Sequence, residues 1–193
     1  MTSERRPGRP RSETRRRAIL AAAMAELEER GYADLTIERI AARAGAGKQT
    51  IYRWWPSKAD VVLDALVDMA ETRIALPDEG SLPDDLMAFI LATFRQRGQR
   101  PVLLGLLAQA LLDPVFAKAF RDRFLFRRRA VLRQILDRAV ARGEIAPETD
   151  PELLIDVVYG VLWYRLMLDH AALDDDAGRQ LSSLLLRAAR PGP

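Results

Sequence analysis

A short segment of this chain concentrates side chains that can hydrogen-bond to phosphates or to the edges of bases. The segment runs from Thr36 to Lys58 and reads TIERIAARAGAGKQTIYRWWPSK. Lysine, arginine, glutamine and hydroxyl groups can donate to base edges or phosphate oxygens in the major groove of DNA. The candidates are Lys48, Gln49, Thr50, Tyr52 and Arg53. An ordinary solvated helix face has the same composition, so the flanking residues must decide between the two interpretations.

Two short helices are expected to position these side chains. A turn at Ala44-Gly45-Ala46 joins them, and Thr36 is a suitable N-cap for the first. Apolar residues occur at the spacings that pack one helix across the other: Ile37, Ile40, Ala41, Ala46 and Ile51. This pattern is typical of a helix-turn-helix, whose second helix enters the major groove.

The rest of the chain also predicts helices, about nine in all, with no credible strand or repeat. A first helix starts at Ser12 or Thr14 and ends at Gly31, and a fourth starts with the capping-box-like Ser57–Asp60. Asp113-Pro114 and Asp150-Pro151 each combine a side-chain cap with proline at the first helical position. The predicted fold class is therefore all-α.

Positive charge is concentrated at the N-terminus. Residues 1–17 hold seven arginines and two glutamates, whereas residues 18–60 are neutral and the remainder has a net charge of −2. A polyanion partner explains this distribution, and so does a solubilising disordered tail. Charge alone leaves both interpretations open.

The composition excludes several kinds of site. The chain has no cysteine and a single histidine, His170, so thiolate catalysis and a Cys/His zinc site are excluded. Gly45-Ala46-Gly47-Lys48 departs from a nucleotide-binding loop, because Ala42 and Gln49 occupy two of its defining positions. No apolar run approaches a membrane span. We expect a cytoplasmic, non-enzymatic protein without metal, cofactor or membrane contact.

The N-terminal segment resembles the TetR family of bacterial repressors. The resemblance covers Ala18 to Gly31 and the following Tyr32, and continues through the helix-turn-helix at matching spacing. The further matching residues are Leu35-Thr36-Ile37, Ile40-Ala41, Ala44-Gly45, Thr50-Ile51-Tyr52 and Pro56-Ser57-Lys58.

The resemblance implies roles for individual residues. Lys48 and Gln49 match positions that read bases, with Arg53 as an additional candidate. The positions that typically hold phosphates correspond to Thr36, Thr50, Tyr52 and Lys58. Tyr52 could equally be a half-buried spacer.

Two departures from the family pattern affect the recognition helix. Gly47 replaces a frequent serine cap, and Trp54-Trp55 is bulkier than the usual ending. We expect Trp55 in the core, while Trp54 is open between packing and a DNA-backbone contact.

Residues 1–12 are expected to form a flexible basic arm. Its Pro7–Arg11 segment resembles the core of minor-groove AT-hooks, which makes Arg9 and Arg11 candidate DNA contacts that add affinity without sequence choice. The predicted domains are this arm, a DNA-binding domain over residues 13–60 and a helical domain over residues 61–193.

The C-terminal domain carries little motif information, and the resemblance implies a ligand cavity and a dimer surface there. The candidate pocket residues are Phe89, Phe94, Leu107, Gln109, Phe116, Phe120, Tyr159 and Trp163. The candidate dimer residues are Leu154, Val158, Val161, Leu162, Leu181, Leu184 and Leu185. All of these could instead form the core of a monomer.

The predicted function is a homodimeric repressor that binds a palindromic DNA operator and is released by an unknown small-molecule effector. The alternative is a ligand-insensitive architectural or activating DNA-binding protein.

Overall fold

Every regular element in the described part of the chain is a helix. The computed structural model describes residues 9–73, 76–95, 99–146 and 148–189, except for the side chains of residues 9–12 and 70–73. The α-helices are α1 Arg9–Arg30, α2 Ile37–Ala44, α3 Lys48–Trp54, α4 Lys58–Arg73, α5 Leu82–Phe94, α6 Arg100–Leu112, α7 Pro114–Phe120, α8 Phe126–Ala141, α9 Pro151–Leu168 and α10 Asp175–Ala189. A π-helical segment, Arg121–Leu125, joins α7 and α8 into one long helix, so these ranges hold nine helices and no strand. The all-α prediction is confirmed.

Local caps define the helix-turn-helix as the sequence predicts. The Thr36 hydroxyl accepts a hydrogen bond from the Arg39 backbone N–H at 3.3 Å, and Gly45 ends α2 in the left-handed region at φ 60°. Ser57 and Asp60 form a reciprocal box, in which each backbone N–H donates to the other's side chain. These caps set the ends of α2 and the start of α4, and thereby the position of α3 between them.

The first helix begins earlier than the sequence suggests. It starts at Arg9, so residues 9–12, which we assigned to a flexible arm, have helical backbone. Residues 1–8 lie outside the described part of the chain, as do the side chains of Arg9 and Arg11. The predicted minor-groove contacts of these two arginines remain a prediction.

Helix α4 belongs structurally to both halves of the chain. It packs against α1 on one side and against α6, α7 and the π segment on the other. Its residues Val61, Val62, Leu63 and Leu66 are almost completely buried. The boundary predicted at residues 60 and 61 therefore falls inside a helix that joins the two regions.

The C-terminal helices enclose a second part of the same core. Helix α5 packs against α8 and α10, and α8 packs against α9. The π segment was not predicted, because the sequence reads as one regular amphipathic helix across it. A π turn shifts the helical phase of the residues after it, and here Phe124 and Leu125 line an internal cavity.

Candidate nucleic-acid interface and internal cavity

Helix α3 presents its polar side chains to solvent. Ile51 is fully buried and anchors the helix, whereas Lys48, Gln49, Tyr52 and Arg53 are exposed. Tyr52 is 51% exposed, which leaves both a DNA contact and a half-buried spacer open. The structure thus brings the predicted base-contacting residues together on one open surface.

Lys48 forms an ion pair across the turn. Its Nζ lies 2.8 Å from Glu38 Oε1 on α2, and both side chains are about half exposed. The hydrogen bond lowers the pKa of Glu38 and raises the pKa of Lys48. A base or phosphate that binds Lys48 must therefore share the ammonium or compete for it with an existing carboxylate partner.

The two predicted phosphate-contacting threonines differ in their surroundings. Thr36 is exposed and caps α2, so its hydroxyl already accepts one hydrogen bond, and it also lies within hydrogen-bond reach of the Glu38 carboxylate. Thr50 is partly buried in the first turn of α3. The N-cap of α3 is Gly47, which provides no side-chain cap.

Lys58 makes contacts that differ from those expected. Its Nζ donates to the backbone carbonyl oxygens of Tyr32 and Leu35, both at 3.1 Å, and of Ala33 at 3.4 Å. The ammonium also lies 4.8 Å from the centre of the Tyr32 ring. Because an ammonium has three donors and all face carbonyls, Lys58 holds the loop between α1 and α2. Lys58 therefore has a structural role in the DNA-free protein, and its implied phosphate contact remains a prediction.

The two tryptophans that end α3 have different environments. Trp55 is 2% exposed, as expected for a core residue, and its Nε1 donates to Asp64 Oδ2 on α4 at 2.7 Å. Trp54 is half-buried, packs edge-on against Trp55 and carries the Arg53 guanidinium 5.8 Å from its ring centre. Trp54 therefore packs on the protein while remaining partly accessible.

Asp64 connects the recognition helix to the C-terminal region. Besides Trp55, this buried carboxylate pairs with Arg16 of α1 at 3.4 Å and with Arg123 of the π segment. Three elements far apart in sequence therefore meet at one carboxylate on α4. We call Asp64, Trp55, Arg16 and Arg123 the Asp64 cluster.

An internal cavity lies next to the π segment. Its volume is about 40 Å³, and it is lined by Thr93, Phe94, Gln99, Leu103, Phe124, Leu125, Arg128, Tyr159, Leu162, Trp163, Leu166 and Leu173. Three of the predicted pocket residues line it, namely Phe94, Tyr159 and Trp163. Five do not: Phe89, Phe116 and Phe120 are buried in the surrounding core, and Leu107 and Gln109 lie elsewhere on α6.

The polar residues of the cavity were not predicted from the sequence. Arg128 belongs to an arginine-rich run that reads as a solvated helix face, yet it lines the cavity beside the Tyr159 hydroxyl. Burial lowers the pKa of Arg128. Burial also raises the pKa of Tyr159 to about 12, although the positive charge of Arg128 acts to lower it. Thr93 is also buried at this cavity. The π turn changes which side chains of the long helix face the cavity. Because the sequence does not reveal this turn, it could not show that Arg128 faces inward.

The predicted dimer residues separate into two groups. Leu154, Val158, Leu181 and Leu185 are buried within the subunit and cannot face a second copy, which corrects their assignment. Val161 and Leu162 are half-buried, and Leu184 is exposed.

Another face of α9 is apolar and at least partly open to solvent. It consists of Leu153, Val157, Gly160, Val161, Tyr164 and Leu168, and we call it the α9 stripe. Its intervals of three and four residues place these side chains on one face of the helix. A groove of about 660 Å³ beside it, between α9 and α10, is lined by Val161 and Leu184 among others.

The described residues contain neither a membrane-spanning helix nor a metal site. None of their helices is long and apolar enough to cross a bilayer. No group of three or more histidine, aspartate or glutamate side chains within these ranges is arranged to hold a metal ion.

Comparison with known proteins agrees with the geometry. Residues 19–65 match the family model described as bacterial regulatory proteins, tetR family, and residues 76–185 match the tetracyclin repressor-like C-terminal domain. An uncharacterized HTH-type transcriptional regulator, YdeS of Bacillus subtilis, is 37% identical over 90% of this chain and 89% of its own. A protein of Mycobacteroides abscessus described as the DNA-binding transcriptional repressor TetR is 34% identical over 94% of this chain and 97% of its own.

A solved structure extends the similarity to three dimensions. The crystal structure of the TetR family transcription regulator SCO0332 superposes with a TM-score of 0.80 at 33% identity, over 92% of this chain and 99% of that one. These relatives are transcriptional regulators and not enzymes. The chain belongs to the TetR family of DNA-binding transcriptional regulators.

Proposed function

We propose that this protein is a cytoplasmic repressor that binds a palindromic operator as a homodimer and releases it when a small molecule enters the internal cavity. The observation that carries the proposal is the Asp64 cluster. In it, Asp64 joins Trp55, which follows the recognition helix α3, to Arg123 of the π segment, which also lines the cavity through Phe124 and Leu125. A relative described as a DNA-binding transcriptional repressor supports the direction of regulation.

Base reading is assigned to the exposed face of α3. Lys48 and Gln49 are the proposed base contacts, with Arg53 as an addition, because all three are exposed at the free surface of that helix. Thr36, Thr50 and Tyr52 are the proposed phosphate contacts. Lys58 supports them indirectly by holding the preceding loop.

A second copy is expected to cover the α9 stripe. Leu153 and Leu168 are each about 60% exposed, and the adjoining groove between α9 and α10 adds Val161 and Leu184 beside charged and polar side chains. Contiguous apolar area of this kind on a helix pair favours association, and a two-fold dimer would place two recognition helices on the half-sites of a palindrome.

The small volume of the cavity suggests how an effector would cause release of the operator. A volume of about 40 Å³ has room for only a few water molecules, so an effector must push the walls apart. Two of these walls reach the DNA-binding region: the π segment through Arg123, and α6 through Gly105, which lies against the Tyr32 ring. A ligand that binds the widened state more tightly shifts the population away from the DNA-bound arrangement.

Selection of purified protein against random DNA duplexes at moderate salt tests the DNA-binding part of the proposal. We expect enrichment of a two-fold palindrome. With that site, Lys48→Ala and Gln49→Ala should each reduce discrimination between bases by about 1–3 kcal/mol if the contacts are bidentate. Binding without sequence enrichment that vanishes at higher salt would instead support the architectural alternative.

A further inference from the structure

The internal cavity has an apolar body and a polar end with unused hydrogen-bond donors. Phe94, Phe124, Leu162 and Trp163 belong to the apolar wall. At the polar end, the hydroxyls of Tyr159 and Thr93 are buried; the Tyr159 hydroxyl lies beside the Arg128 guanidinium, which can only donate to it, so neither hydroxyl proton has an acceptor among the described residues. Buried hydroxyls without partners destabilise a fold, so their retention at a cavity indicates that something else satisfies them.

Arg128 makes this polar end cationic. Its guanidinium lines the cavity next to Tyr159, and among the described residues no aspartate or glutamate pairs with it. Neighbouring arginines on the same helix do have such partners: Arg129 pairs with Glu152 and Asp156, and Arg133 pairs with Asp137 and Glu152. The absence of a counter-charge at Arg128 is therefore specific to the side chain that faces the cavity.

The chemistry of these groups selects the ligand. A guanidinium can only donate, and a tyrosine hydroxyl that accepts from it retains its own proton for donation. Two donors that face one enclosed space and carry a positive charge match the two oxygens of a carboxylate. We propose that the cavity binds a hydrophobic monocarboxylate, with its carboxylate against Arg128 and Tyr159 and its apolar body along Phe94, Phe124 and Trp163.

The proposal deepens the proposed function, since this ligand would be the effector, but binding can be measured without DNA. Calorimetric titration of the full-length protein would use matched acid and amide probes: octanoate and octanamide, decanoate and decanamide, 2-naphthoate and 2-naphthamide. The variants are Arg128→Gln, Tyr159→Phe and, as a control of equal charge change, Arg127→Gln, whose side chain is exposed on the same helix.

We expect at least one acid to bind wild-type protein about 10- to 100-fold more tightly than its amide, the range for hydrogen bonds to a charged group. Arg128→Gln should abolish this preference while leaving the affinity for the amide within about twofold, and Tyr159→Phe should reduce the preference partly. Arg127→Gln should bind like the wild-type protein.

Equal affinity for acids and amides, an acid preference that survives in Arg128→Gln, or no binding of any probe at millimolar concentration would overturn the proposal. Release of operator DNA is a separate measurement on the same samples. Acid binding that leaves operator affinity unchanged would contradict effector-controlled release while retaining the carboxylate site. Release by a neutral compound that does not need Arg128 would support effector-controlled release and contradict a carboxylate as the effector.

Discussion

At the residue scale, the ion pair between Lys48 and Glu38 is expected to lower the affinity for DNA. Lys48 is the proposed base-reading lysine, and its ammonium is already 2.8 Å from a carboxylate on the preceding helix. Binding to DNA exchanges this partner for a base or a phosphate and also brings the Glu38 charge close to the DNA backbone. Glu38 is therefore expected to oppose binding to every sequence.

Glu38→Gln should consequently tighten DNA binding. We expect a gain of about two- to fivefold, because exposed ion pairs contribute little and the loss of one negative charge reduces repulsion. Fluorescence anisotropy with a labelled duplex at fixed salt would measure it. Glu28→Gln, an equal charge change at an exposed position of α1, is the matched control. A gain of the same size in both variants would mean that net charge, and not the release of Lys48, is responsible.

At the element scale, α6 is the helix that contacts both the cavity and the DNA-binding region. Leu103 lines the cavity, and two residues later Gly105 lies against the ring of Tyr32 at the end of α1. A Cβ atom at Gly105 would come within 2.3 Å of Tyr32 Cδ1. Glycine is thus required at this crossing for steric reasons, and the same ring supports Lys58.

Gly105→Ala should therefore destabilise the protein by about 1–3 kcal/mol, as is usual for overpacking, although alanine is the better helix former. Urea unfolding would measure the change. Combining it with Tyr32→Leu, which removes the ring, should recover about 1 kcal/mol or more relative to the sum of the single changes. Additive effects would show that the methyl group and the ring do not compete for the same space.

At the scale of the whole molecule, the stripe on α9 is an apolar surface that one subunit leaves uncovered. Its apolar side chains are exposed or only half-buried, while Leu154 and Leu166 of the same helix are buried inside the subunit. On α10, Leu184 is 52% exposed at the adjoining groove. A second copy, packed about a two-fold axis, would bury both surfaces.

Leu184→Glu should convert the proposed dimer to a monomer that retains its helical content. Operator affinity should fall by about 100-fold or more, since each recognition helix would then bind without the effective concentration of its partner. Sedimentation equilibrium and anisotropy would measure mass and affinity. Leu112→Glu is the matched control, because Leu112 is 84% exposed at the end of α6, away from this surface. A dimeric Leu184→Glu protein would place the interface elsewhere.

The sequence by itself determined the helices and the helix-turn-helix. Thr36, Gly45, Ser57 and Asp113 end or begin helices through contacts within a few residues along the chain, so their effects can be read locally. The donors of α3 were identified for the same reason, because the buried Ile51 fixes which face of a short helix is open.

The tertiary structure alone decided which side chains meet across the fold. Leu153 and Leu154 are adjacent and chemically identical, yet only the packing of α9 on α8 exposes the first and buries the second. Arg128 and Arg129 are likewise adjacent and identical, yet Arg128 lines the cavity and Arg129 pairs with Glu152 and Asp156. Whether a side chain is buried or ion-paired depends on residues tens of positions away in the sequence. A local pattern does not predict which of those residues it will contact.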